Sequence, residues 1–96
     1  MDKETKALVD KIEAQVDQAR LEIERLEAKG REAEADTRRE IQDKVQDLKH
    51  KRNDAEQKLD ELKNSGEHAL DDLRAGAEHA WKSLSSAAKS AADRFR

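Results

Sequence analysis

The chain has 96 residues, 45% of them charged, with a net charge of -3, three Gly and neither Pro nor Cys. Leu, Ile, Val and Phe fill only 16 positions, too few for a thick globular core, so a compact fold is not expected. This is the composition of a long helix or coiled coil, and the small net charge argues against a self-repelling disordered chain. Without Cys there is neither a disulfide framework nor a thiolate metal site. No apolar run of signal-peptide length follows Met1, and no stretch of about 18 apolar residues occurs. A cytoplasmic address without a membrane span is therefore expected.

The first apolar series is Val9, Ile12, Val16, Ala19, Ile23, Leu26, Gly30, Ala33 and Thr37, spaced alternately three and four apart. That is the heptad seam of a coiled coil. Its firm part runs from Val9 to Leu26, because the later members bury little, and Gly30 costs on the order of 1 kcal/mol in helix propensity relative to Ala. Fraying or bending is expected there. The spacing then becomes four and four through Ile41 and Val45 before Leu48, an insertion that unwinds a supercoil locally.

A later series comprises Leu59, Leu62, Gly66, Leu70, Leu73, Ala77, Trp81, Leu84, Ala88, Ala92 and Phe95, spaced three, four, four and repeating. This 11-residue period aligns Leu62, Leu73, Leu84 and Phe95 in one column and Leu59, Leu70, Trp81 and Ala92 in another. The only helix break that the sequence signals is Asn64-Ser65-Gly66-Glu67, where Asn64 is placed to cap a new helix with Glu67 three residues on. The apolar columns nevertheless run through it in phase. Two geometries stay open: one straight helix, or a hinge at which residues 67–95 fold back on residues 36–63.

The expected fold class is thus all-α, as a long amphipathic helix or two helical segments with a hinge near Asn64 to Gly66, in a coiled-coil or bundle assembly. Residues 1–63 form a charged coiled-coil helix and residues 67–96 an amphipathic C-terminal one, together a single functional unit. A straight helix of the whole chain would be about 144 Å long and could not bury its stripe alone. Homo-oligomerisation or a fold-back must follow. Val9, Ile12, Val16, Ile23, Leu26, Leu59, Leu62, Leu70, Leu73, Trp81, Leu84 and Phe95 form the candidate interaction stripe.

Charged side chains fill the other faces. Glu27 with Arg31, Glu34 with Arg38, Glu40 with Lys44, Asp47 with Lys51 and Asp54 with Lys58 each stand four apart and read as a solvated helix face. His50, His68 and His79 do not converge as metal ligands do, and His68 and His79 are explained by the repeat. No phosphate loop, nucleophile elbow or paired carboxylates in a cleft emerge, so no enzymatic activity, small-molecule substrate, cofactor or metal is expected. Lys49-His50-Lys51-Arg52 is the densest basic run, but Asp47 and Asp54 flank it and no aromatic residue lies near, so no nucleic-acid partner is expected.

Residues 1–76 carry a net charge of -5, from 16 basic and 21 acidic side chains, whereas residues 77–96 carry +2, from four and two. There Trp81, Leu84 and Phe95 stand on an Ala-rich helix with Lys82, Lys89 and Arg94 around them. A membrane surface is the alternative partner to protein, with those three cations near lipid headgroups.

The blocks Gly66-Glu67-His68-Ala69-Leu70-Asp71-Asp72-Leu73 and Ala77-Glu78-His79-Ala80-Trp81-Lys82-Ser83-Leu84, after Ala55-Glu56-Gln57-Lys58-Leu59-Asp60-Glu61-Leu62, resemble small bacterial coiled-coil stress-response proteins over nearly the whole chain. The resemblance implies a protective or scaffolding role in bacterial stress and supplies no catalytic residues. Many such proteins have Trp where this chain has Leu70. In period alone, the repeats also resemble late-embryogenesis-abundant proteins and exchangeable apolipoproteins, whose helices form against apolar surfaces.

Overall fold

A computed structural model describes residues 2–65 and 70–96, the side chain of Leu70 excepted. The first helix, α1 (Lys3–Glu32), starts at Asp2, whose carboxylate accepts a hydrogen bond from the Thr5 amide at 2.7 Å. One of the helix's orphan N–H groups is thereby satisfied. The same bond is the main reason that the Asp2 carboxyl titrates below its ordinary 3.8. A carboxyl depressed on folding stabilises above its unfolded value, and that contribution is lost as the pH falls through the lower folded value. In an amide-NMR titration, the midpoint of the Thr5 shift should therefore fall below pH 3.8. Asp2→Asn should abolish this low-pH step.

The buried residues of α1 are Thr5, Val9, Ile12, Val16, Ala19, Ile23, Leu26 and Gly30, alternately four and three apart, as the first seam requires. Contrary to the sequence reading, the seam does not continue to Thr37. The helix stops at Glu32, Ala33 and Glu34 are extended, and a second helix, α2 (Ala35–Asn64), returns along the first, leaving Thr37 exposed. The turn is made by tertiary contacts. At Gly30 the helices come so close that an added Cβ would stand 3.3 Å from the Ile41 Cγ2 methyl. The Arg38 guanidinium donates from Nε to the Gly30 carbonyl at 3.1 Å and from Nη2 to the Ala33 carbonyl at 3.0 Å. The Gly30 carbonyl also accepts from the Ala33 amide at 3.3 Å, so Arg38 reinforces the end of α1.

Asn64 is the last residue of α2, not the cap of a following helix, and Ser65 is extended with its hydroxyl donating to the Leu62 carbonyl at 2.9 Å. The expected partner in the capping box, Glu67, lies outside the described residues with Gly66, His68 and Ala69. The third helix, α3 (Leu70–Arg94), folds back along α2, so the hinged alternative holds and the straight one does not.

The ion pairs Glu13–Lys63, Arg20–Glu56 and Glu27–Lys49 climb α1 one heptad at a time while descending α2, which makes these helices antiparallel. Arg94–Glu40 ties the end of α3 to the start of α2, and Arg74–Glu4 ties the starts of α3 and α1, so α3 runs parallel to α1. The result is an up-down-up bundle of 51 × 17 × 16 Å. A compact fold was not expected from so few apolar residues. It is reached because a bundle of this diameter needs only a thin column of small and aliphatic side chains.

Gly76 lies within α3, and a Cβ there would meet only the Lys58 side chain, at 3.9 Å. Gly76→Ala should raise stability by about 0.5–1 kcal/mol, read as a higher urea midpoint at unchanged slope.

Candidate interaction surface

The core is built unevenly by the three helices. From α1 come Val9, Ile12, Val16, Ile23 and Leu26, and from α2 come Ile41, Val45, Leu48, Leu59 and Leu62, all buried. From α3 and the residue after it, only Leu84 and Phe95 are large and buried among the described side chains, Leu73 and Trp81 pack partly buried against the core, and Ala77, Ala80 and Ala91 fill the other buried positions. Burying a methyl group contributes about 0.8 kcal/mol, against roughly 1.5–3 kcal/mol for a Leu or Phe side chain. The third helix is therefore held more lightly than the first two. The polar ties across it are two exposed ion pairs of small net worth, Arg74–Glu4 at 3.0 Å and Arg94–Glu40 at 3.1 Å, and one part-buried hydrogen bond, in which Arg25 Nη1 of α1 donates to the Phe95 carbonyl at 2.9 Å.

Besides Thr5, buried at the start of α1, one column position is polar. The α2 column runs Ile41, Val45, Leu48, Arg52, Ala55, Leu59, Leu62 in unbroken alternation of four and three, and its fourth member is an arginine. Arg52 Nε is shielded from water and lacks a hydrogen-bond partner among the described residues; its nearest carboxylate, on Glu56, stands 3.9 Å away. The sequence reading passed over this position because it followed the large aliphatics, which lapse between Leu48 and Leu59. An uninterrupted heptad count through α2 would have found it.

The predicted stripe residues mostly turn inward. Val9, Ile12, Val16, Ile23, Leu26, Leu59, Leu62, Leu84 and Phe95 are buried, Leu73 and Trp81 are partly buried against the same core, and the Leu70 side chain lies outside the described residues. In α3, burial follows Leu73, Ala77, Ala80, Leu84, Ala87, Ala91 and Phe95, with Ala80 and Ala91 deeper than Trp81 and Ala92. The seven-residue spacing of the partner helices thus prevails over the 11-residue pattern from Leu73 to Ala91, and Phe95 departs from it by one residue. Trp81 Nε1 is shielded and has no acceptor among the described residues.

Lys82, Lys89 and Arg94 are exposed, as a headgroup-facing role needs, but Lys82 pairs with Glu78 at 3.0 Å and Arg94 with Glu40. The Arg94 guanidinium also lies 5.6 Å from the centre of the Phe95 ring. The basic run is dispersed: Lys49 reaches Glu27, Lys51 reaches Asp47, and Arg52 occupies the core column. Of the five pairs expected within helices, only Asp47–Lys51 closes among the described residues, at 3.1 Å. Glu27, Arg38 and Glu40 serve contacts between helices or the turn instead.

His50 and His79 are exposed, and among the described residues no group of His and carboxylates is placed to hold a metal. No described helix is long and apolar enough to cross a membrane. Leu21, at 66% exposure, is the one large apolar side chain left outside among the described residues. It stands with exposed Ala7, Ala14 and Ala28 at heptad spacing on the outer face of α1, a column the search for a single seam did not seek.

Fold and surface together define a small, highly charged three-helix bundle whose apolar residues are largely spent on its own core. Comparison with protein-family models, with curated proteins and with solved structures finds no match.

Proposed function

We propose that the chain is a non-enzymatic helical protein of the bacterial cytoplasm with a protective or scaffolding role in stress, and that it works by releasing α3 and associating with further copies through the stripes this uncovers. The observation that supports the reading is the uneven core: among the described side chains the third helix contributes Leu84, Phe95 and three alanines as buried residues, with Leu73 and Trp81 only partly buried, facing a column interrupted by Arg52. Ordered helices with a removable member can re-pair between molecules, since the same heptad surfaces serve within and between chains. The resemblance of the Glu-His-Ala blocks to stress-response coiled-coil proteins points the same way.

A second reading is that the opened chain lays α3 on an apolar or membrane surface. It is favoured by Trp81 standing half-buried at the edge of the core beside exposed Lys82, with Lys89 and Arg94 further along.

Sedimentation velocity combined with Trp81 emission separates them. Self-association predicts oligomers that grow with protein concentration, a Trp81 emission that changes with them, and indifference to anionic vesicles. The surface reading predicts a blue shift on adding anionic vesicles that salt reverses. A monomer at all concentrations, with emission unmoved by vesicles, overturns both.

A further inference from the structure

On the outer face of α1, opposite its buried seam, Ala7, Ala14, Leu21 and Ala28 form an exposed apolar column about 32 Å long at 1.5 Å per residue. Polar side chains ordinarily fill this face of a bundle helix, yet none of the four is polar. Neither α2 nor α3 covers the column, and Leu21 stands 66% exposed within it.

The charges beside the column are ordered. Residues three and four positions from each column member flank it, and the two flanks carry opposite signs at consecutive residues: Lys3-Glu4, Asp10-Lys11, Glu24-Arg25 and Arg31-Glu32, with Asp17-Gln18 between them. Glu4 and Arg25 already hold Arg74 and Glu22. Lys3, Asp10, Lys11, Glu24, Arg31 and Glu32 are exposed and make no ion pair among the described residues. By contrast Glu13, Arg20 and Glu27, on the side of α1 next to α2, are all paired with that helix.

We infer that this face pairs with the same face of a second copy of the closed bundle, the two α1 helices side by side, parallel and in register. In a parallel pair related by a two-fold axis along the helices, each flank meets the opposite flank of the other copy, so Asp10 faces Lys11, Glu24 faces Arg25 and Arg31 faces Glu32. Every charged pair made in this way is attractive. Antiparallel pairing sets each flank against itself. Centred on Leu21 it brings Asp17 against Glu24, and centred between Ala14 and Leu21 it brings Asp10 against Glu24 and Lys11 against Arg25. The alanines let the two backbones approach, and each Leu21 packs against its counterpart. One helix face makes a small interface, so the pair is a transient one. The inference goes beyond the proposed release of α3, because this face is exposed while that helix is docked.

Sedimentation equilibrium and amide NMR of the full chain, from micromolar to millimolar concentration, test it. Association should stop at a dimer and shift the amides of Ala14, Leu21 and Ala28 progressively. Leu21→Glu should abolish it with helical circular dichroism unchanged. Asp10→Lys and Lys11→Asp should each weaken self-association by about tenfold, because each sets two like-charge pairs in the homodimer. Mixing these two variants should restore association, since every exchanged charge then meets its opposite. Only a parallel pair is rescued in this way: in the antiparallel one centred on Leu21, Asp10 and Lys11 face Arg31 and Glu32. Leu84→Ala, which loosens α3, should leave the dependence on Leu21 and on the charge exchange intact. Association that ignores Leu21→Glu but changes with Leu84→Ala overturns this inference and leaves the release of α3 standing; the opposite pattern supports it and counts against that release. Weakening in both charge variants without rescue on mixing, or a monomer at every concentration, also overturns it.

Discussion

Leu84→Ala is expected to cost about 3 kcal/mol, within the range of roughly 2–5 kcal/mol for truncating a buried leucine. Leu84 is fully buried and is one of only two large buried side chains among the described residues of the third helical segment. Its removal leaves α3 docked through alanines, Phe95 and the partly buried Leu73 and Trp81, so the loss should fall on that helix before the other two. A domain of this size is stable by only about 5–15 kcal/mol in total, and the variant should therefore populate a state with α3 detached. Urea denaturation followed in parallel by Trp81 emission and helical circular dichroism checks this. The Trp81 transition should precede the loss of helix in Leu84→Ala. Leu21→Ala, at the exposed outer face of α1, should change stability by no more than about 0.5 kcal/mol. A cost for Leu84→Ala below about 1 kcal/mol would show that α3 is held by something other than its core column.

Arg52→Leu is expected to act in the opposite direction, raising stability by about 1–2 kcal/mol and the thermal midpoint by several degrees, at roughly 4–8 °C per kcal/mol. The side chain is 24% exposed and occupies a column position that its neighbours fill with Val, Leu and Ala. Its Nε gives up hydration without a close acceptor in exchange, a cost that an aliphatic side chain avoids. Nor does the substitution strand Glu56, which keeps Arg20 at 2.6 Å. If release of α3 underlies self-association, this variant should also associate more weakly at equal concentration. A destabilised Arg52→Leu would mean that the contacts with Asn53 and Glu56 outweigh the desolvation.

The α1 column was legible because it is written in large aliphatics at strict heptad spacing, and each of Val9 to Leu26 in that series is buried. The turn at Ala33 and Glu34 was not. It uses ordinary extended angles, needs no Pro and no glycine at positive φ, and depends on Arg38 reaching back from the next helix, so its signal is tertiary. The alternation of three and four also passes through Gly30, Ala33 and Thr37 without a slip, which disguised the break. In α3, Leu73, Ala77 and Leu84 satisfy both the 11-residue and the seven-residue pattern, Phe95 fits the 11-residue one alone, and the choice between Trp81 and Ala80 separates them along the helix. Reading large apolar residues favours Trp81. Packing between two close helices favours Ala80, because a small side chain lets the backbones approach, and the indole is left at the edge.

Native-state hydrogen exchange of the backbone amides tests the lightly held third helix most directly. Amides in the middle of α3, from Trp81 to Ala91, should exchange at least about tenfold faster than those from Ile12 to Leu26 in α1 and from Val45 to Leu59 in α2, through an opening that leaves the α1–α2 hairpin protected. Equal protection in all three helices, with exchange only through global unfolding, would contradict the account.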